Sequence, residues 1–142
     1  MAICVPDASV ILKWVLPAKE EPYADAAEAI RDAFVAGDLD LLVPSLWLFE
    51  VGNTLARKYA MQAEALLETL ASLQIPEAPM TGEWRGITLG LAVRHQTTFY
   101  DASYHALAMT RNGVFVTADE KYLERVKPEP HARHLRTWIA TP

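Results

Sequence analysis

Short apolar runs alternate along the chain with longer segments in which apolar residues return every three or four positions. The first run, residues 3–5, fits a buried strand. Pro6-Asp7-Ala8-Ser9 then opens a helix, with Val10, Ile11, Trp14 and Val15 at helical spacing. Residues 17–22 read as a loop. Residues 23–35 are rich in alanine and helical, stopped near Gly37. Leu41-Leu42-Val43 is a second buried strand, and Pro44 and Ser45 open a helix that runs through Leu55 to about Tyr59. Residues 63–73 form another helix. Ile75 marks a short strand, limited by Pro76 and Pro79. Residues 82–95 are helical in pattern. So are residues 101–111, which close at Asn112-Gly113. Val114-Phe115-Val116-Thr117 is the clearest strand, followed by a helix over residues 119–125, and residues 134–136 fit a last edge strand.

Short strands separated by helices predict an α/β sandwich with a mainly parallel sheet flanked by helices. In such folds ligands gather at the carboxyl ends of the strands. No repeat or linker divides the 142 residues, so one domain over residues 1–142 is expected. About half the residues are apolar (51%), which supplies a core and excludes a disordered chain. No apolar run approaches the roughly 20 residues of a membrane span, and the first residues lack the basic stretch of a secretory signal. A cytoplasmic protein is the expectation. Cys4 is the single cysteine, which excludes an internal disulfide and a thiolate zinc site; between Ile3 and Val5 it reads as a small core residue. The formal net charge of −5 runs against a phosphate-binding surface unless carboxylates hold cations or the remaining Lys and Arg line one edge of the site.

Four acids stand where the fold rule directs attention. Asp7 follows the first strand, Asp119 follows the strand at 114–117, Asp101 opens a helix, and Glu50 lies inside the helix after the second strand. Each Asp also suits a plain N-cap. Glu50 differs, because Leu46-Trp47-Leu48-Phe49 precede it and Val51 follows, although Glu50, Asn53 and Arg57 also share a helix face. If the four converge, their mutual repulsion favours a divalent cation, and an all-oxygen ligand set points to Mg²⁺ or Mn²⁺. Such a site polarises a phosphodiester without a side-chain nucleophile.

The residues around these acids resemble a known family. Val5-Pro6-Asp7-Ala8-Ser9-Val10-Ile11-Leu12-Lys13-Trp14 resembles the opening of VapC-type PIN domains. Pro44-Ser45 with Glu50-Val51-Gly52-Asn53-Thr54-Leu55, then Tyr100-Asp101-Ala102-Ser103-Tyr104-His105-Ala106-Leu107-Ala108, then Thr117-Ala118-Asp119, resemble the motifs that follow, in the same order and over nearly the whole chain. The resemblance implies a PIN-like three-layer sandwich and an Mg²⁺-dependent endoribonuclease, the toxin of a type II toxin–antitoxin pair. It implies a metal site of Asp7, Glu50, Asp101 and Asp119, with Asp7 and Asp101 the firmest direct ligands. It further implies supporting polar roles for Ser9, Asn53 and Thr117, a structured RNA substrate such as transfer or ribosomal RNA, a VapB-type antitoxin and a homodimer.

The remaining residues read more plainly. His95, His105, His131 and His134 lack metal-ligand spacing beside the acids, and His105 reads as core or surface. Trp14, Trp47, Phe49 and Tyr59 divide between core and an exposed groove for the antitoxin, with Trp14 and Trp47 expected near the acids. Lys13, Arg57 and Lys58 sit on solvated faces within reach of phosphate, and Leu66, Leu67, Leu70 and Leu73 read as core or dimer contact. Two rivals remain: a PIN fold without catalysis, which usually lacks one of the acids, and a phospho-receiver or phosphatase, which needs a second acid where Ala8-Ser9 stand.

Overall fold

The structure, a computed structural model, describes residues 2–138. Strand β1 (Ile3–Pro6) leads into helix α1 (Ala8–Leu12), a 3₁₀ turn (Ala18–Glu20) and α2 (Ala24–Val35). Strand β2 (Asp40–Leu41) is followed by four helices: α3 (Leu46–Lys58), α4 (Ala63–Ala71), α5 (Gly82–His95) and α6 (Phe99–Thr110). Strand β3 (Val114–Thr117), α7 (Glu120–Arg125), β4 (Ala132–His134) and a second 3₁₀ turn (Leu135–Thr137) complete the described chain.

The four strands form one sheet in the order β2-β1-β3-β4, parallel at every pairing. The α/β sandwich expected from the alternation of runs is therefore the observed fold. From β1 the chain crosses to β2 on one side and then returns past β1 to β3 on the other. Right-handed crossovers in opposite directions place helices on both faces of the sheet, which makes three layers. Helix α6 lies along β1 and β3 and is covered by α5, while α1 packs on the same strands and on α3. Residues 102–108 of α6 are all buried, and Ala102, Ala106 and Ala108 let that helix approach the sheet closely.

Two elements differ from the pattern in a way chemistry explains. Strand β2 ends at Leu41, and Val43 instead forms an isolated parallel bridge with Glu77. Ile75 is buried but lies outside any strand, because the prolines at 76 and 79 cannot donate to a ladder. The last strand occupies residues 132–134 rather than 134–136.

Gly113 ends the α6–β3 turn. The left-handed residue there is Asn112 (φ 52°), and Gly113 serves a different need. A Cβ at position 113 would lie 2.6 Å from the Ile3 carbonyl oxygen, so only glycine lets the turn pass against β1.

Candidate active site

The strand order reverses between β1 and β3, and the carboxyl ends of these neighbours open the crevice where such folds bind ligands. Asp7 follows β1 directly. Its backbone N–H donates to the Val116 carbonyl at 3.2 Å, which carries the ladder one residue beyond the strand. Its side chain caps α1 by accepting from Val10 N at 3.1 Å. The same carboxylate accepts from Ser9 Oγ at 2.5 Å and from Thr117 Oγ1, a short hydrogen bond across the sheet. Thr117 Oγ1 in turn accepts from Asp119 N at 3.0 Å. One carboxylate and one hydroxyl thus tie together the ends of both central strands.

The other acids come from three different elements. Glu50 is half-buried on α3 and accepts from the Tyr104 hydroxyl of α6 at 2.6 Å. Asp101 sits in the first turn of α6, whose cap is Thr98: its Oγ1 accepts from Asp101 N at 3.0 Å. Asp119 caps α7 by accepting from Tyr122 N at 3.0 Å. Asp7 and Asp119 are therefore caps and site acids at once, while Asp101 is not a cap. Two clefts meet at Asp101 and Thr98. One is lined by Leu46, Phe49, Glu50, Asn53, Thr98, Tyr100 and Asp101, the other by Gln96, Thr97, Thr98, Asp101, Asp119, Lys121, Tyr122 and Arg125.

The charges of neighbouring acids act on one another. Burial raises the pKa of Asp7; hydrogen bonds from Ser9, Thr117 and Val10 oppose this, and the charge of Asp101 adds to it. Burial also raises Glu50, against the Tyr104 hydrogen bond and with the charges of Asp101 and Asp7. Asp101 is raised by burial first and by Asp119 as well, against its hydrogen bond with Thr98. Among the described residues none of the four acids forms an ion pair. No cation of the described residues is paired directly with their negative charge. Among the described residues, however, no three acidic, histidine or cysteine side chains converge closely enough to form a ready-made ligand group. The donor set fits a hard cation, but its side chains would have to close on it.

The supporting residues divide. Ser9 and Thr117 both bond the Asp7 carboxylate, whereas Asn53 is exposed and shares only a cleft with Glu50 and Asp101. His105 is fully buried in the core. Three readings of the sequence are corrected. Trp14 and Trp47 do not line an exposed groove: they are 8% and 4% exposed, and their indole N–H groups donate to the Ala27 carbonyl and to Glu77 at 2.8 and 2.7 Å. Phe49, at 73% exposed, lines the cleft together with Tyr100. Lys13 is not on a solvated face but buried and paired with Glu21 at 3.3 Å. Reasoning from the sequence also passed over Tyr104, Thr98, Lys121 and Arg125. Tyr104 stands three residues after Asp101 and Thr98 three before it, spacings that mark a shared helix face and a cap.

The protein-family comparison matches the PIN domain over residues 4–129. A curated relative, "Exonuclease VapC9" from Pyrobaculum aerophilum, is 30% identical over 109 residues, covering 72% of this chain and 79% of that one. Two solved structures share the fold. PAE2754 from Pyrobaculum aerophilum matches with a TM-score of 0.65 at 24% identity, over 96% of this chain and 91% of that one. VapBC2 from Rickettsia felis, solved bound to a DNA fragment from their promoter, matches with a TM-score of 0.67 at 13% identity, over 93% and 98%. The motif order, the sheet and these likenesses agree, and the chain belongs to the PIN-domain family, among its VapC-type members.

Proposed function

We propose that this protein is the toxin of a type II toxin–antitoxin pair, a metal-dependent endoribonuclease whose site is Asp7, Glu50, Asp101 and Asp119. The observation that carries the reading is the charge of these four acids, unpaired among the described residues, at the β1/β3 switch point. Support for the nuclease class comes from the family and from the relative named as an exonuclease.

Asp7, fixed by Ser9 and Thr117, is the pre-oriented ligand of the set. Asp101 and Glu50 line the first cleft together, with Tyr104 aiming Glu50, and Asp119 shares the second cleft with Asp101. A bound Mg²⁺ or Mn²⁺, held by these carboxylates, would supply polarisation of the phosphodiester and a more acidic water, so no side chain would have to act as nucleophile.

The test is RNA cleavage. Mg²⁺ or Mn²⁺ should support it, EDTA should abolish it, and Asp7→Asn or Asp101→Asn should lower it by orders of magnitude. Cleavage that survives exhaustive chelation overturns the metal reading. A covalently closed circular RNA separates the two modes of attack: an endonuclease linearises it, an exonuclease leaves it intact.

The VapBC2 complex motivates a VapB-type antitoxin as partner. The proposed contact is a basic antitoxin side chain sent toward the four acids while an apolar segment covers Phe49 and Leu46. If every basic residue of the antitoxin tail can be replaced with inhibition unchanged, that blockade is wrong.

A further inference from the structure

The second cleft beside the acids, about 220 Å³, is built from opposite charges. Asp101 and Asp119 supply one sign, Lys121 and Arg125 the other. The two cations are four residues apart on α7 and so lie on one face of that helix. Both are exposed. Among the described residues neither forms an ion pair, although two carboxylates line the same cleft. Cations placed only to neutralise those acids would sit in contact with them. Arg125 is held instead by donating Nη1 to the Gln96 carbonyl at 2.6 Å, which leaves the rest of its guanidinium free of protein partners among the described residues. Gln96 is itself fixed in the left-handed conformation (φ 54°) at the end of α5.

Other cations are committed elsewhere. Lys13, Arg31, Arg94 and Arg136 are paired with Glu21, Asp32, Glu129 and Glu120. Arg57 and Lys58, at the end of α3, line neither cleft beside the acids.

We propose that Lys121 and Arg125 form a phosphate subsite: they hold a backbone phosphate of the nucleic-acid strand next to the linkage presented to Asp101 and Asp119. The proposal rests on the nuclease reading and deepens it, by giving the substrate a direction across the site. The strand enters over α7 with its phosphate on the cations. The following linkage then falls on the carboxylates, which repel phosphate by themselves and accept it through a cation. Arg125 gives a planar two-point grip and Lys121 a mobile point charge. Both are positioning residues, so their removal weakens capture more than turnover.

The experiment uses Lys121→Gln, Arg125→Gln and the double variant, with Arg125→Lys as the charge-preserving control. Cleavage of a short single-stranded RNA is measured across salt concentrations. Equilibrium binding of the same RNA is measured in the Asp7→Asn background, where no turnover is needed. The expected result is a KM raised about tenfold per cation with kcat little changed, and a log Kd against log[salt] slope shallower by about 0.7 per cation. Arg125→Lys should keep that slope. Replacing one linkage at a time by a neutral methylphosphonate should reveal, in the otherwise wild-type protein, a single sensitive position flanking the cut, and the double variant should be indifferent there. Identical methylphosphonate profiles and salt slopes in wild type and double variant overturn the subsite. Absence of any metal-dependent cleavage by the wild type overturns the nuclease reading instead, and the binding arm still decides whether these cations hold phosphate. Lys121 has no side-chain hydrogen bond among the described residues, so its variant tests charge without disturbing the fold.

Discussion

Asp7 accepts three hydrogen bonds, yet its pKa is raised, because burial and the charge of Asp101 outweigh them. Glu50 and Asp101 are raised for the same first reason. A group whose folded pKa lies above its unfolded value stabilises the fold fully below the unfolded pKa and loses that contribution as pH rises through the folded one. At neutral pH these carboxylates therefore work against the fold. Asp7→Asn should raise the Tm of the metal-free protein by a few degrees near pH 7, since Asn caps a helix as well as Asp, its Oδ1 still accepts from Val10 N and Ser9 Oγ, and its Nδ2 can donate to a Thr117 hydroxyl turned to accept. Adding Mg²⁺ should raise the wild-type Tm and leave the variant unmoved. A variant that melts lower at every pH would make Asp7 a structural cap above all. Tyr104→Phe tests the support of Glu50: loss of that hydroxyl should lower activity or metal affinity about 10–100-fold while the buried ring keeps its packing, as steady-state kinetics and far-UV melting would show. Position alone marked Asp7, Asp101 and Asp119 equally as helix caps; the four acids stood out as a set through the motifs that resemble VapC-type PIN domains. The role of Tyr104 was not legible in the sequence, because Glu50 and Tyr104 stand 54 positions apart and meet only through a side-chain hydrogen bond in the folded chain.

At the scale of elements, the site depends on how closely α6 and β3 approach β1. Gly113→Ala places a methyl group 2.6 Å from the Ile3 carbonyl oxygen, a backbone atom that cannot swing aside. The expected loss is about 1–3 kcal/mol, read as a lower urea midpoint with an unchanged m-value. A second pin holds α6 to the far end of the chain. His105 Nε2 lies 2.7 Å from the Pro130 carbonyl, which only accepts, so Nε2 carries the proton and Nδ1 accepts from the Tyr122 hydroxyl at 2.8 Å. Burial lowers the His105 pKa below its ordinary 6.5. A histidine depressed in the fold contributes stability above the unfolded pKa and loses it as pH falls toward the folded one. The contribution of His105 should thus decline as pH drops below about 6.5, opposite in sign to that of the raised carboxylates, and His105→Gln should make the melting temperature fall less, or rise more, than in the wild type between pH 7 and pH 5. The elements themselves were largely visible in the spacing of apolar residues. Their ends were not: Trp14 and Trp47 read as exposed anchors because nothing in the local sequence shows that Ala27 and Glu77 stand ready to take their N–H groups.

For the molecule as a whole, the acidity that argued against a phosphate-binding partner has a local origin. The formal net charge is −5, and the four site acids account for four of those charges. The rest of the surface is close to balance, and Lys121 and Arg125 can act on phosphate once the acids are neutralised. The hydrogen bond from Thr117 to Asp7 spans 110 positions of the chain. At a synthesis rate of about 5–20 residues per second, Asp7 is made roughly 5–20 s before its partner exists. Throughout that interval β1 lacks the neighbouring strand β3, and Asp119, the fourth acid, has not been added at the start of α7. A chain released at residue 113 carries three of the four motifs and lacks both β3 and Asp119, so it should be unprotected in hydrogen exchange and inert toward RNA. On the nuclease reading, cleavage can begin only once β3 has joined β1 and Asp119 has followed it into place.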